Sequence, residues 1–423
     1  MDNIFIIPVG KDLDLDNDDK INIVYSPLND EIALCGKEDL DEVLATMDPI
    51  GNVDDFVQSN DVIKMTKMSL MPNLTCNFKC TYCYSAHGRS NGVSVDWIKV
   101  KVALDFFINQ NRIKPQPLSI FISGGGEPLL SFDDILKPAI IYAGERARQQ
   151  DFSLHISVVT NGSLLSENIA RFFSENNVSV CVSFEVLADL QNAQRGHFDK
   201  VDSNILMLHR HGVRVMINST VTPLSVNRMP EMANRVKERY PFVRQFTMEP
   251  VTSSELFASA SEVRKFYADF FINYITAKSI LPSLRFTFDD ALRGLTIRHC
   301  PGKFCVTPTG HISGCHLCTS PKEGRWDRCV YGQITDKGVE IDREKFARLY
   351  SVNVLSYPEC RDCFAKFSCG GECMARRDTY PPEYIAEICN FNRRFVKHLL
   401  IGRIGDEVYE QTGKPLKEYC HED

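Results

Sequence analysis

This sequence of 423 residues has no excess of positive charge and no long apolar run. Its net charge is -7 at pH 7, so it offers no basic footprint for nucleic acid and no polybasic anchor for an anionic membrane. No apolar run approaches the roughly 18 residues of a membrane-spanning helix. The run Ile4–Val9 lacks the length and the basic flank of a secretory signal. The sequence therefore predicts a cytoplasmic protein without nucleic-acid or membrane partners.

Cysteine, in contrast, is abundant, with 16 residues in the chain. In a long chain without a signal peptide, many cysteines indicate metal or redox chemistry rather than a disulfide framework. They are also clustered, because three lie between positions 76 and 83 and ten lie between positions 300 and 389. We therefore expect most of them to be metal ligands.

The first cluster consists of Cys76, Cys80 and Cys83 in the run NLTCNFKCTYCY. Three thiolates cannot fill the four-ligand shell of a closed zinc site, but they suit an iron–sulfur cluster that keeps one iron open. The alternatives are a structural metal knuckle or three reduced core thiols. The spacing favours the cluster, and an open iron is a place for chemistry.

This CxxxCxxC spacing, with the aromatic Tyr82 just before the last cysteine, resembles the radical S-adenosylmethionine (SAM) family. The resemblance implies that the three cysteines hold a [4Fe-4S] cluster and that SAM chelates the open iron. It also implies that an electron from a flavodoxin- or ferredoxin-type donor cleaves SAM reductively. The 5′-deoxyadenosyl radical released then abstracts a hydrogen from the substrate.

From Met68 onward, strand-like runs alternate with helix-like runs, the pattern of βα units on a parallel sheet. Helices are predicted behind the caps Ser94 and Ser166 and over Ser261–Ala277. Six units are fewer than the eight of a closed barrel. We predict an α/β fold, a partial (β/α)6 TIM barrel of the radical SAM type with a cysteine-rich SPASM extension. The candidate strands are 68–74, 118–123, 154–159, 178–184, 213–220 and 245–248.

A glycine run with a carboxylate, Gly124–Glu127, follows the second candidate strand. Glycines let the backbone approach a ligand closely, and a fixed carboxylate can accept hydrogen bonds from an ammonium. A dinucleotide fingerprint is the competing interpretation, but Pro128 breaks its pattern. In the radical SAM family this motif meets the amino group of SAM, which implies that role for Gly125, Gly126 and Glu127.

Two further strand ends carry residues that the resemblance assigns to SAM. The third strand ends in a turn at Asn161, and the family often has the same turn beside the SAM pocket. Relatives with the extension usually have Ser-x-Asp-Gly after the fourth strand, and an arginine follows it. Ser183 and Arg195 match that serine and arginine, whereas Glu185 replaces the aspartate and Val186 the glycine.

The later cysteines include Cys300 and Cys315 on either side of Gly310, then the run Cys360-x2-Cys363-x5-Cys369-x3-Cys373, and finally Cys389. This pattern resembles the SPASM extension, which holds two auxiliary [4Fe-4S] clusters. The resemblance implies Cys305 as fourth ligand of the first cluster, with Cys318 as its competitor, while Cys35, Cys329 and Cys420 receive no role. Zinc is the alternative, because Cys-x2-Cys pairs also build tetrahedral thiolate sites. The remaining implied ligands are Cys300, Cys315 and Cys373 for the first cluster and Cys360, Cys363, Cys369 and Cys389 for the second.

These motifs divide the chain into four predicted parts. Residues 1–65 form an N-terminal extension with a candidate peptide-recognition hairpin, which would pair with a peptide through a strand edge. Residues 66–285 form the barrel, 286–395 the SPASM domain and 396–423 a C-terminal helix or tail.

The resemblance implies a peptide maturase that crosslinks a side chain of a ribosomal precursor peptide, through a carbon–carbon, ether or thioether bond with net oxidation. The first alternative is an anaerobic sulfatase-maturing enzyme that generates formylglycine. Those relatives typically carry aspartate where this chain has His316, which makes His316 the candidate catalytic residue. A non-catalytic scaffold for electron transfer or metal binding is the second alternative, and a SAM-dependent enzyme for a small metabolite is the third.

Overall fold

The N-terminal segment forms a small antiparallel sheet in the computed structural model, which describes residues 3–47, 64–300 and 303–420. Strand β3 was not predicted, because its apolar residues do not alternate with polar ones. Residues 1–2 and 48–63 of the predicted extension, and residues 421–423 of the predicted tail, lie outside the described residues. The elements are β1 (Phe5–Pro8), β2 (Ile21–Ser26), β3 (Glu31–Gly36) and helix α1 (Leu40–Thr46).

The predicted parallel sheet is confirmed, with neighbouring strands paired in chain order. A two-residue strand, β10, adds a seventh parallel member. The first strand ends at Leu70 rather than at the predicted Leu74, because Pro72 has no N–H to donate to the ladder. The strands are β4 (Lys67–Leu70), β5 (Leu118–Ile122), β6 (Leu154–Thr160), β7 (Ser179–Ser183), β8 (Val215–Val221), β9 (Gln245–Pro250) and β10 (Leu284–Arg285).

Helices connect these strands, as the apolar periodicity predicted. The cap prediction for Ser166 is confirmed, since its hydroxyl accepts from the N–H of Ile169. The prediction for Ser94 is wrong: Asp96 caps the helix by accepting from Ile98, and Ser94 donates to the carbonyl of Pro72 at 2.9 Å. The helices are α2 (Trp97–Phe107), α3 (Lys137–Gln149), α4 (Glu167–Glu175), α5 (Ala188–Gln194), α6 (Phe198–Arg210), α7 (Met229–Arg239) and α8 (Ala260–Ile280).

The cysteine-rich region continues the barrel sheet. Strand β11 (Phe304–Val306) pairs in parallel with β4, so that the described strands other than β1–β3 form one eleven-stranded sheet. The chain then returns through a tight hairpin at Gly310, whose φ of 81° favours glycine. Antiparallel strands β12 (His311–Ser313), β13 (Val330–Thr335) and β14 (Gly338–Ile341) complete the sheet.

Helices close the C-terminal region. The longest, α13, packs its aromatic residues against α8, with ring centroids of Tyr267 and Phe391 4.9 Å apart. The predicted boundary between residues 395 and 396 therefore falls inside a helix. Among the described residues, no helix is long and apolar enough to cross a membrane. The helices are α9 (Trp326–Cys329), α10 (Arg343–Ser351), α11 (Lys366–Cys369), α12 (Met374–Thr379), α13 (Pro382–Thr412) and α14 (Leu416–Cys420).

Candidate active site

A cavity of about 350 Å³ opens where the parallel strands β4 to β9 end. Parallel strands direct their following loops to one edge of the sheet, which explains why motifs far apart in the chain meet there. Its wall includes all eleven residues predicted for the first cluster, for SAM and for catalysis. These are Cys76, Cys80, Tyr82, Cys83, Gly125, Gly126, Glu127, Asn161, Ser183, Arg195 and His316.

The three-cysteine loop lies between β4 and α2 and is held by hydrogen bonds from the protein. The N–H of Thr81 donates to the carbonyl of Gln194 at 3.0 Å, which ties the loop to α5. The N–H of Cys83 donates to the carbonyl of Cys80 at 3.3 Å. Burial raises the pKa of Cys80, and the positive charge of Arg195 opposes that rise. The loop thus presents its thiols to the cavity on a fixed backbone.

The glycine motif lies directly against the residues that precede this loop. The N–H of Gly126 donates to the carbonyl of Asn73 at 2.8 Å, and the N–H of Glu127 donates to that of Thr75 at 2.8 Å. A Cβ on Gly126 would come within 1.9 Å of the Thr75 oxygen, so a larger residue cannot fit without moving the backbone. The glycine is needed here because two backbone segments touch.

The Glu127 carboxylate is buried and already serves the protein. One oxygen accepts from the hydroxyl of Thr160 at 2.6 Å and from the N–H of Leu129 at 3.1 Å. The other accepts from the N–H of Asn161 at 2.7 Å. Burial raises the pKa of Glu127, while these hydrogen bonds oppose the rise. Glu127 therefore joins the glycine motif to the end of β6, and the main chain of the motif is left to face the cavity.

The Asn161 side chain is likewise engaged by its neighbours. Its amide donates to the Asn77 oxygen at 2.9 Å, and its own oxygen accepts from the hydroxyl of Ser163 at 2.7 Å. Asn77 in turn donates to that hydroxyl at 2.9 Å. This small network connects the cysteine loop to the turn after β6. It supports a structural role for the side chain of Asn161 beside the cavity.

Tyr82, Glu185 and Arg195 form a buried polar triad. The phenol of Tyr82 donates to Glu185, and Arg195 donates to the phenol oxygen at 2.6 Å. The guanidinium lies 3.7 Å from Glu185, and both charged side chains are buried. Thus Glu185, which replaces the aspartate of relatives, pairs with the predicted SAM-binding arginine. Val186, in place of the glycine, adopts a left-handed φ of 51°, a strained conformation for a β-branched residue.

His316 lines the cavity, and a lysine forms a hydrogen bond with its imidazole ring. The ammonium of Lys303 lies 2.6 Å from its Nδ1 atom. An ammonium can only donate, so Nδ1 accepts and the ring proton sits on Nε2. Burial, followed by the charges of Lys303 and Arg325, lowers the pKa of His316 to about 3. A neutral imidazole with an N–H donor is the species that this geometry stabilises.

Polar residues of the cavity wall that sequence reasoning missed include Arg89, Asn218 and Thr220. Arg89 donates to the sulfur of Cys83 at 3.0 Å and to the carbonyl of Phe78 at 2.6 Å. Asn218 and Thr220 lie on β8 and share one face, because side chains two apart point the same way. Polar residues two apart near the end of an otherwise apolar strand were the available signal for this pair. Nothing in the sequence marked Arg89.

The second predicted auxiliary set, Cys360, Cys363, Cys369 and Cys389, lines a single cavity of about 350 Å³. Asn392 donates to the Cys369 sulfur at 3.4 Å. Burial, and then the charge of Glu372, raises the pKa of Cys389 to about 11, against the opposing charge of Arg377. The basic residues on the wall are Lys366, Arg377 and Arg393.

The first predicted auxiliary set is brought together less completely. Cys315 is buried in a cluster with Cys318 and Cys329, and Cys373 packs against it. Cys305 lies on β11, where it stands opposite Ser69 of β4 and Ser313 of β12. The neighbourhood of this set therefore contains more thiols than the four ligand positions of one cluster require.

Comparison with known proteins identifies the central part of the chain. Residues 71–236 match the model of the Radical SAM superfamily. An uncharacterized protein of Methanothermobacter thermautotrophicus is 25% identical over 167 residues, which are 39% of this chain and 61% of that protein. A Cysteine-type anaerobic sulfatase-maturating enzyme of Clostridium novyi is 27% identical over 38% of this chain and 44% of its own length. The match thus spans less than two thirds of these two relatives.

Another match covers nearly three quarters of the chain. A Cysteine-type anaerobic sulfatase-maturating enzyme of Clostridium perfringens is 23% identical over 332 residues, 72% of this chain and 87% of that enzyme.

Solved structures show the same fold. Native anSMEcpe with bound AdoMet superposes with a TM-score of 0.60 at 19% identity, covering 79% of this chain and 98% of that one. Streptococcus suis SuiB bound to precursor peptide SuiA gives a TM-score of 0.55 at 14% identity, covering 86% and 97%. The radical SAM family binds a [4Fe-4S] cluster and SAM. The predicted resemblance to the radical SAM family is confirmed for residues 71–236, which form a radical SAM domain, and most of the chain shares the fold of the anSMEcpe and SuiB structures.

Proposed function

We propose that this enzyme is a peptide maturase that oxidises a side chain of a peptide substrate and closes a crosslink on it. The observation that carries the proposal is the single cavity shared by the cysteine loop, the glycine motif and Arg195. When bound, the cluster and SAM supply the 5′-deoxyadenosyl radical that removes a hydrogen atom from the substrate. Cys76, Cys80 and Cys83 hold the cluster.

Unsatisfied polar atoms support SAM as the occupant of this cavity. Within the described part of the chain, the Arg195 Nε and the Asn218 oxygen are buried without a hydrogen-bond partner. A buried polar atom without a partner costs free energy, which a ligand can recover. Arg195 suits the SAM carboxylate, and Ser183 and Asn218 suit ribose hydroxyls. The main chain at Gly125 and Gly126, on the same cavity wall, would hold the amino group.

His316 contributes a hydrogen-bond donor rather than a free base. Its Nδ1 atom is occupied by Lys303, so only Nε2–H remains to face the cavity. Such a donor can orient a carbonyl or carboxylate of the substrate or of SAM. Replacing His316 with glutamine retains a donor, whereas replacing it with leucine does not. Product formation that survives in both variants would remove His316 from the active residues.

Two auxiliary [4Fe-4S] clusters in the C-terminal region complete the proposal. Within the described ranges, no three His, Cys, Asp or Glu side chains stand close enough to hold a lone metal ion. A tetrahedral zinc keeps its sulfurs about 2.3 Å from one point, whereas a four-iron cluster spreads its ligands over four irons. The basic wall around the second cysteine set also offsets the charge of bound thiolates. When bound, these clusters would supply an acceptor for the electron that the substrate loses.

An open groove beside the SAM cavity supports a peptide as the substrate. It has a volume of about 800 Å³ and shares Tyr82, Tyr84 and Thr252 with the SAM cavity. Its walls also carry polar and charged side chains, including a contact between His87 and Glu255 and an ion pair between Arg328 and Asp378. A charged, open groove suits an extended peptide better than a small apolar metabolite.

The N-terminal sheet offers a second contact for a peptide substrate. In the order β1-β2-β3, strand β1 is one edge of this sheet. An edge strand can pair with an incoming extended segment through its backbone. We propose that this edge recognises the precursor outside the active site.

Formylglycine formation is the second candidate, because relatives that match more than two thirds of this chain are named for sulfatase maturation. The two functions share hydrogen abstraction and the loss of a second electron and a proton, and they differ in the product. A crosslinked peptide lacks two hydrogens and contains no aldehyde. A formylglycine peptide contains an aldehyde that a hydrazide captures.

The discriminating experiment incubates reduced, reconstituted enzyme and SAM with two kinds of peptide under anaerobic conditions. One kind is a sulfatase-type peptide containing cysteine or serine, and the other is any short peptide encoded beside the gene. Mass spectrometry with hydrazide trapping then identifies the product. A crosslink in the neighbouring peptide supports the maturase, and a trapped aldehyde in the sulfatase-type peptide would establish the alternative instead.

A further inference from the structure

We propose that Asn392 raises the reduction potential of the second auxiliary cluster by donating a hydrogen bond to the ligand Cys369. Glu372 and Arg376 act as positioning residues, because they hold the Asn392 amide in the orientation that this bond needs. The inference rests on the proposed auxiliary clusters, and it adds to them a role for three side chains that no sequence pattern singled out.

Asn392 lies on helix α13, about one turn after the predicted ligand Cys389, and it is buried in the wall of the cavity of the second set. Its amide nitrogen lies 3.4 Å from the Cys369 sulfur and 2.8 Å from a carboxylate oxygen of Glu372. An amide NH2 group has two hydrogens, so it can donate to both acceptors at once. One nitrogen therefore joins a predicted cluster ligand to a buried carboxylate.

Glu372 decides which end of the Asn392 amide faces the sulfur. A carboxylate can only accept hydrogen bonds, so the amide must turn its nitrogen, and not its oxygen, toward Glu372. The same nitrogen then points at Cys369. In the opposite orientation, the amide oxygen would face both the carboxylate and the thiolate, and neither could donate to it. The carboxylate thus makes Asn392 a donor to the sulfur.

Arg376 holds Glu372 in place as an ion. Its guanidinium donates to the other carboxylate oxygen at 3.0 Å, and the Glu372 side chain has no exposed surface. A buried carboxylate needs such a partner, because removing a charge from water without pairing it is costly. Arg376 also donates to the carbonyl of Pro250 at 3.2 Å. The positioning pair is therefore anchored at the end of β9, at the barrel edge.

The backbone conformation also points to the Glu372 side chain. Gly370, Gly371 and Glu372 all have left-handed φ angles, of 66°, 83° and 70°. Glycine adopts this conformation readily, whereas a residue with a Cβ is strained in it. The bonds that the Glu372 carboxylate accepts from Asn392 and Arg376 offset this strain.

A hydrogen-bond donor at a ligand sulfur favours the reduced form of a cluster. Reduction adds one negative charge, and hydrogen bonds to the sulfurs are among the factors that set the potential of an iron–sulfur cluster. In the proposed reaction, this cluster would receive one electron from the substrate. A higher potential, set by Asn392, would make it a better acceptor.

The test is a redox titration of the reconstituted full-length protein, followed by electron paramagnetic resonance. The signal that disappears in Cys389→Ala identifies the second auxiliary cluster. Asn392→Leu keeps the approximate size of the side chain but removes the donor. At a fixed potential, the ratio of reduced to oxidised cluster should fall about tenfold, a shift of about 59 mV toward negative potential for one electron.

Asn390→Leu is the matched control on the same helix. Asn390 is exposed, and its amide donates to Glu387 at 3.3 Å rather than to a sulfur. This variant should titrate like the wild type. A potential in Asn392→Leu equal to that of the wild type, or the same shift in both variants, contradicts the proposal.

The iron content separates a failure of this inference from a failure of the proposed clusters. The wild type and both leucine variants should hold about twelve irons, whereas about four in the wild type would contradict the auxiliary clusters themselves and this inference with them. If Asn392→Leu loses iron, wild-type protein labelled with ¹⁵N at its asparagine side-chain amides tests the same bond. Magnetic coupling between the second cluster and one labelled nitrogen is then expected, and its absence overturns the proposal.

Discussion

The cavity at the barrel edge and the first auxiliary cysteine set differ in how completely motifs specify them. At the barrel edge, every predicted residue lies on the wall of one cavity. In the auxiliary set, three predicted ligands share their neighbourhood with two further thiols, Cys318 and Cys329. Both regions carry recognisable motifs, so the difference lies in what connects those motifs in space.

Parallel strands explain the success at the barrel edge. Each βα unit returns the chain to the same edge of the sheet, so a motif just after a strand reaches the site whatever the length of the helix. The cysteines of the first auxiliary set are brought together instead by hairpins and by the long connection between Cys318 and Cys360. The second auxiliary set lies between these cases, because its first three cysteines are close in sequence and end in one cavity.

The largest effect is expected from removing a cysteine of the barrel loop. Cys80→Ala should abolish 5′-deoxyadenosine formation and remove about four irons per chain, because three thiolates are the minimum for this cluster. The matched control is Cys35→Ala, which replaces a buried cysteine of β3 in the N-terminal sheet. This variant should retain both 5′-deoxyadenosine formation and the full iron content. Anaerobic iron analysis and chromatography of the SAM products measure the two effects. Persistent deoxyadenosine in Cys80→Ala would contradict the site.

Removing a cysteine of the second auxiliary set should separate the role of that set from the role of the SAM cavity. Cys389→Ala is expected to remove about four irons. Because this cavity lies apart from the SAM cavity, the decrease in SAM cleavage should be far smaller than in Cys80→Ala. Formation of oxidised peptide should fall strongly, since the electron from the substrate then lacks its acceptor. An unchanged iron content in Cys389→Ala would show that the second set does not bind a cluster.

Glu127→Gln tests the hydrogen bonds that hold the barrel-edge cavity. An amide must direct its NH2 group either at the N–H of Asn161 or at the donors Leu129 and Thr160. At least one buried donor then loses its acceptor, at a cost of about 1–3 kcal/mol in the free energy of unfolding.

Chemical denaturation and SAM affinity should both reveal this loss. Glu175→Gln is the control, because Glu175 is an exposed residue at the end of α4. Equal stability of the two variants would show that the carboxylate of Glu127 is not needed to join the glycine motif to β6.

The smallest effect concerns Arg89, which donates to the sulfur of Cys83. Arg89→Met removes a positive donor from a cluster ligand, so the reduced cluster loses stabilisation. Its reduction potential should become more negative, by an amount on the order of tens of millivolts. Lys79→Met, an exposed change in the same loop, should leave the potential where it is. A redox titration followed by paramagnetic resonance compares them, and equal potentials would reject a tuning role.

The sequence predicted the parallel strands and the location of the barrel-edge site because both depend on local patterns. Apolar runs identify strands, and a motif placed just after a strand reaches the active edge. Pairings between distant segments were not predictable. Neither the β11–β4 pairing nor the hydrogen bond between Lys303 and His316 leaves a local pattern. The cap at Ser94 was predicted wrongly because two residues capable of capping, Ser94 and Asp96, stand close together in the sequence. The Ser94 hydroxyl donates to the carbonyl of Pro72, and Asp96 caps the helix instead.

The most direct test of the account is metal and product analysis of the wild-type protein, purified anaerobically and reduced in the presence of SAM. The account predicts about twelve irons per chain with matching sulfide, and 5′-deoxyadenosine as a product of SAM. Zinc in place of iron, or a full iron complement without 5′-deoxyadenosine after reconstitution, would contradict it.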